Sequence, residues 1–197
     1  MAMSMSIESA LETYPKSVVL KSGIGLAIRP LVSTDEKALS AFFQALPGED
    51  LLFLKERVAD PKVIHRWCAK IDHGQALFLL AFADKKLVGL ASLNQDLGGW
   101  KRHIGRLNVH TLPEYRGKGI GRNLINEVID VARQSGLMLL EAEFFDKQDA
   151  AIKMFGLLGF SHMMRLSDYV KDRQSVMHDY ILMGMKLITE EEYAGMG

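Results

Sequence analysis

The residues best able to do chemistry stand in one stretch, Val109-His-Thr-Leu-Pro-Glu-Tyr-Arg-Gly-Lys-Gly-Ile-Gly-Arg122. Val109 and Thr111 close an alternating run that reads as a strand. Pro113 stops its pairing, because proline has no N–H to donate. Gly117, Gly119 and Gly121 let the backbone turn tightly and approach a ligand with no Cβ in the way. A helical pattern follows at once, so the unpaired N–H groups of its first turn and the positive end of its dipole point back at the glycines. Arg116, Lys118 and Arg122 add positive charge. This is a backbone cradle for a phosphate or pyrophosphate.

The spacing excludes the two commonest glycine-rich loops. No Gly-x-x-x-x-Gly-Lys-Ser/Thr string occurs. In the dinucleotide pattern Gly-x-Gly-x-x-Gly, the third glycine would fall on Arg122 or Leu124. What fits is Arg-x-x-Gly-x-Gly, as Arg116-Gly-Lys-Gly119-Ile-Gly121, behind a strand and a proline. That string resembles the coenzyme A loop of the GNAT superfamily of N-acetyltransferases. A second segment, Ala151-Ile-Lys-Met-Phe-Gly-Leu-Leu-Gly-Phe160, is similar to the family's Ala-Ile-x-Leu-Tyr-x-x-x-Gly-Phe helix. The resemblance covers about residues 16–188 and is most specific at 107–124.

The resemblance implies acetyl-CoA as acyl donor, no metal, and a primary amine on a small molecule or a protein as acceptor. It implies that the backbone at Val109, His110 and Thr111 pairs with the pantetheine arm. The pyrophosphate would lie against Arg116, Gly117, Lys118, Gly119, Ile120, Gly121 and Arg122. Gln148 takes the place of a cofactor-touching asparagine. Phe155 takes the place of the tyrosine that often protonates the leaving thiolate, so it would sit against the cofactor with no proton to give. Strand-edge dimers are common in the family, which admits a homodimer here.

Acyl transfer to an amine needs the thioester held, the amine uncharged and the thiolate stabilised. Deprotonating a lysine-type amine at pH 7 costs roughly 4.6 kcal/mol, given its pKa near 10.4. A carboxylate would serve as base. Glu141 and Glu143 fall on one face of a strand over 137–145, about 7 Å apart. The resemblance favours Glu143, with Glu141 as the alternative; both could instead line a solvated strip. A thiol pKa near 8.5 makes the leaving group tolerable without an acid, so Phe155 does not exclude catalysis. Phe155 also keeps open a different class of function, an acyl-CoA-binding sensory or regulatory module without efficient transfer. His110 reads as a proton relay or as a hydrogen-bonded structural histidine. His178 and Asp179 are adjacent in a strand and point to opposite faces, so they cannot chelate one ion together.

The rest of the chain bounds these readings. The 24 basic and 24 acidic residues cancel, which argues against a general nucleic-acid or anionic-membrane binder. The longest apolar run, 76–83, is too short to span a bilayer. No basic-then-apolar signal pattern opens the chain, and Cys68 stands alone, which excludes an internal disulfide and a thiolate metal cluster. These observations place the protein in the cytoplasm.

The elements that must position the loop follow in order. Residues 17–20 and 24–29 read as a hairpin around Ser22-Gly23, followed by a helix capped by Ser33 or Thr34, with Ala38, Leu39, Phe42 and Phe43 on its apolar face, and broken at Pro47-Gly48. A helical region at 49–72 breaks at Asp60-Pro61. Residues 76–83 and 87–93 form a hairpin, and 95–103 a solvated loop anchored by Trp100. A strand at 104–111 feeds the glycine loop, and the helix behind it buries Leu124, Ile125, Val128, Ile129 and Ala132. A parallel strand over 137–145, a helix over 148–158 and an antiparallel pair at 163–171 and 176–187 complete the order. The expected fold is α/β (α+β), a mixed central sheet splayed at the cofactor cleft and flanked by helices. The expected organisation is a tail at 1–15, one domain at 16–188 and a C-terminal tail at 189–197.

Overall fold

The computed structural model describes residues 7–51, 58 and 60–187. Its strands form one sheet in the order β1-β2-β3-β4-β5-β6-β8-β7. They are β1 (Lys16–Val19), β2 (Gly25–Pro30), β3 (Ala76–Ala83), β4 (Lys86–Gln95), β5 (Ile104–Thr111), β6 (Leu139–Phe145), β7 (Ser161–Lys171) and β8 (Met177–Lys186). The helices are α1 (Ile7–Leu11), α2 (Glu36–Gln44), α3 (Gly48–Leu51), α4 (Pro61–Ala69), α5 (Ile120–Gln134) and α6 (Asp149–Leu157). Every neighbouring pair is antiparallel except β5 and β6.

Local chemistry sets most of the turns. Gly23 (φ +82°) makes the β1–β2 turn, and Asp84 and Lys85 take positive φ in the β3–β4 turn. Asp60 caps α4 by accepting from Lys62 N–H, with Pro61 at the first helical position. Gly136 (φ +78°) ends α5.

The sheet buries both faces of its first half. One face packs on α5, with Leu124, Ile125, Val128, Ile129 and Ala132 inward as their 3.6-residue spacing requires. The other packs on α2 and α4 through Leu39, Phe42, Phe43, Ile64 and Leu90. The apolar run of β3 therefore feeds both cores, Leu77 and Leu79 one and Leu80 the other. Position 89 has to be glycine for α5 to lie this close to β4. A Cβ there would come within 2.7 Å of Ile120 Cγ2 and 3.0 Å of Leu124 Cδ1.

Two expectations change. Residues 7–15 are no loose tail: Ile7 and Ala10 are buried in the α5-side core, and the Tyr14 hydroxyl donates to Glu127 at 2.7 Å. Burial compensates the ordering entropy of that segment. Residues 1–6 and 189–197, also assigned to tails, lie outside the described residues. Trp100 anchors nothing, since it is 88% exposed.

The feature that positions the site is a parting of strands. β5 and β6 pair only from Ile104↔Leu139 to Arg106↔Glu141. Beyond that, β5 stays on β4 as far as Thr111 and β6 stays on β8 as far as Phe145. The sheet is splayed from that point, as expected.

Candidate active site

The parted strands open into a cleft of about 790 Å3. Val109, His110 and Thr111 form one wall, and Phe145, Gln148, Ala151 and Met154 the opposite one. The glycine turn lies at one end, with Arg116, Gly117, Gly119, Ile120, Gly121 and Arg122 on the cleft. Leu46, Glu49 and Asp50 come in from the region of α3, and Asp172 and His178 from the β7–β8 turn.

The turn has the geometry its glycines predict. Gly117 and Gly119 take φ of +72° and +91°, which side chains with a Cβ rarely adopt. A Cβ at Gly117 would meet nothing within 4 Å, and one at Gly119 only Asn123 Nδ2 at 3.9 Å. These glycines are therefore demanded by backbone conformation and by an open cradle, not by packing. Asn123 ties the turn from behind: its N–H and its Nδ2 both donate to the Gly119 carbonyl, at 3.0 and 2.9 Å. Among the described residues, the N–H groups of 117–122 have no protein acceptor in hydrogen-bonding geometry. Free amides at the start of a helix form an anion-binding arrangement.

The cations around the turn divide. Arg122 lines the cleft. Arg116 forms an ion pair with Asp50 and donates from Nε to the Thr111 carbonyl at 3.4 Å. Lys118 does not line the cleft; its Nζ lies 5.2 Å from the centre of the Tyr115 ring. Gln148 lines the cleft, but its side-chain oxygen accepts from Phe145 N–H at 3.1 Å, which ties the head of α6 to the end of β6.

Phe155 requires a correction. It lines no part of the cleft and is 1% exposed, edge-on to Phe144 and Phe160 with ring centres 4.9 Å away in each case. Its side chain leans toward the core because the helix closes on β6 through these rings. The ring therefore sits in the core rather than on the cleft wall where it was expected.

The two glutamates share a face, as alternation requires, but neither is among the cleft walls. Glu141 is buried. Glu143 accepts a hydrogen bond from the Tyr180 hydroxyl; burial and then this carboxylate push the phenol up to about 12. His110 lies on the same sheet face, reached from β5. Burial pushes its imidazole below the usual histidine range and Arg116 adds to this, while Asp50 acts the other way. Its ring has no hydrogen-bond partner among the described residues, so the structural role envisaged from sequence lacks its bond.

One polar cluster escaped the sequence reading. His178 contacts Asp146 through Nδ1 and Asp172 through Nε2, each at 3.1 Å. The hydrogen bond to Asp172 raises the imidazole above its ordinary range against the effect of burial, and Asp146 adds to the rise. Asp172 also accepts from Gln174 and Val176 N–H at 2.8 and 2.9 Å, holding the hairpin turn. The only available signal was the aspartate opening the turn. Asp179 points the opposite way and pairs with Arg165 at 2.7 Å, as expected for neighbours in a strand. Among the described residues, no group of three or more His, Cys, Asp or Glu is arranged to hold a metal ion, and no helix is long and apolar enough to cross a membrane.

The Acetyltransferase (GNAT) family model matches residues 40–160, from within α2 to just past α6, which hold the cleft lining except Asp172 and His178. The chain belongs to the GNAT acetyltransferase family. Solved structures of GNAT type superpose on more than four-fifths of it. A ribosomal-protein-alanine N-acetyltransferase from Brucella melitensis is 26% identical, with a TM-score of 0.72 over 81% of this chain and 98% of that one. The GNAT domain of S. lividans PAT is 18% identical, with a TM-score of 0.73 over 87% and 96%. The yncA protein of Salmonella typhimurium, solved with its cofactor acetyl-CoA, is 22% identical, with a TM-score of 0.69 over 84% and 95%. The mixed sheet flanked by helices is the GNAT fold, and the chain is an acyltransferase of GNAT type.

Proposed function

We propose that this GNAT enzyme is an N-acetyltransferase that moves an acetyl group from acetyl-CoA to a primary amine. The observation that carries the reading is the row of free amides at 117–122, in a turn that lines the cleft where β5 and β6 part. The cradle fits a diphosphate, because Cβ atoms at Gly117 and Gly119 would project into open space rather than into packed neighbours. Arg122 adds a cation at the same place.

The other residues follow from this anchor. The edge of β5 beyond Arg106 has no strand partner, so the backbone at Val109, His110 and Thr111 is available to an extended pantetheine arm. Acetyl-CoA supplies an acyl group already activated as a thioester. The chain has to hold that carbonyl in the gap, admit the amine from the face bearing His110, and keep the amine uncharged. The similarity to a ribosomal-protein-alanine N-acetyltransferase adds a peptide N-terminal amine to the acceptors worth testing.

The test is titration calorimetry with acetyl-CoA, then thiol release against alkylamines, polyamines, amino acids and alanine-terminated peptides. Binding with release on at least one amine is expected. Failure to bind acetyl-CoA overturns the assignment. Binding without release on any amine favours the second reading, an acyl-CoA-binding module, which rests on Phe155 lacking a hydroxyl and being buried.

A further inference from the structure

We infer that the His110 imidazole is the general base that removes the proton from the acceptor amine. The inference rests on the transferase reading above and deepens it. His110 lines the cleft beside the free edge of β5, where the thioester has to lie for the amine to reach it. Its ring nitrogens are engaged by no protein group among the described residues, although the side chain is partly buried. An unpartnered polar ring facing a cleft has a lone pair to offer a ligand.

The surroundings suit the task. Burial keeps the imidazole neutral at neutral pH, with Arg116 acting in the same direction. Asp50 of α3 also lines the cleft and interacts with the ring, so it favours the imidazolium once a proton arrives. Arg116, held by Asp50, limits that carboxylate's pull in the resting state. Glu143 is placed less well. It is absent from the cleft walls, and the Tyr180 hydroxyl already donates to it.

His110 takes one proton from the acceptor ammonium. The freed amine forms the C–N bond as the C–S bond breaks, with the electron pair staying on sulfur. The second nitrogen proton neutralises that thiolate, and His110 returns its own proton to solvent. The sum is ammonium plus thioester to amide, thiol and one released proton.

The experiment uses the full chain, acetyl-CoA and the best amine of the panel. For His110→Gln and His110→Ala, kcat should fall about 100-fold or more. Acetyl-CoA affinity by calorimetry should stay within about 3-fold, since only the backbone of residue 110 meets the donor. The acidic limb of the wild-type kcat/KM profile should be lost in both variants and kept in Glu143→Gln. The His110 ring resonance, assigned by its absence from the spectrum of His110→Gln, should titrate below about 6.5 in the free enzyme. An acidic limb that survives both His110 variants, one that vanishes in Glu143→Gln, or a ring titrating above the ordinary histidine value overturns the inference while leaving the transferase intact. A wild-type enzyme that releases no thiol overturns the transferase reading, and the base with it.

Discussion

Arg106 and Glu141 are the last residues that β5 and β6 set side by side. Beyond them each strand keeps only its outer neighbour, so the sheet presents an unpaired backbone edge in the middle of the domain. An unpaired edge can bind an extended polar chain as an added strand. The glycine turn lies at the open end of that edge, which brings a turn of unbonded amides and a strand edge into one continuous groove.

Gly119→Asp tests the cradle. The residue sits at φ +91°, where a Cβ is strained, and an aspartate would set a carboxylate among amides that suit an anion. Acetyl-CoA affinity should fall by about 100-fold or more, roughly the effect of 2–3 kcal/mol. Circular dichroism should show the fold retained. Unchanged affinity would move the diphosphate site elsewhere.

Asp50→Asn tests the link between α3 and the loop. The Asp50 and Arg116 side chains are 26% and 45% exposed, so the pair should contribute no more than about 1 kcal/mol to stability. Freed from its carboxylate, Arg116 should draw the donor in more strongly. We expect acetyl-CoA affinity at low salt to rise about 2- to 5-fold, with the gain shrinking as salt is added. Weaker binding in this variant would contradict the placement of Arg116.

Phe155→Tyr tests the inward orientation of that ring. A hydroxyl placed among Phe144 and Phe160 would lack a partner and cost about 1–3 kcal/mol. At about 2–4 °C per kcal/mol, the loss should be visible in a thermal melt. Turnover should not increase. A gain in kcat would mean that position 155 reaches the reacting atoms after all.

His178 and its two carboxylates predict a pH dependence of stability. The folded-state imidazole is raised above its unfolded value, chiefly by the bond to Asp172. That contribution is fully present below about pH 6.5 and is lost as pH rises through the folded value. Asp172 works from the other side. Burial raises its carboxyl, but the Val176 N–H, the His178 ring and the Gln174 N–H bring it below its ordinary value. Its contribution is therefore lost as pH falls through the lowered value. The difference in urea midpoint between wild type and His178→Asn should be largest at about pH 5–6.5 and shrink above neutrality. A difference that widens toward alkaline pH would show that the ring is not held as an imidazolium.

The residues around the glycine turn were legible because their behaviour is local. Positive φ at Gly117 and Gly119, the helix start at Ile120 and the stripe from Leu124 to Ala132 depend on neighbours within a turn or two. The hairpins around Gly23 and Asp84-Lys85 were readable for the same reason. The burial of Ile7 and Ala10 was not, because a five-residue helix has little signal of its own and is held by α5, more than a hundred positions away.

By itself, then, the sequence determined a glycine turn leading into a helix on a strand–helix unit, its family and the order of elements around it. Tertiary structure decided which side chains meet at the cleft. Asp50 reaches Arg116 across 66 positions, and Asp146 reaches His178 across 32. Phe155 turns into the core, and Glu143 meets Tyr180 rather than lining the cleft. Spacing along the chain fixes backbone torsions and the face on which a residue lies. Contact between distant residues depends on strand register and on how helices settle against the sheet, which no short stretch encodes.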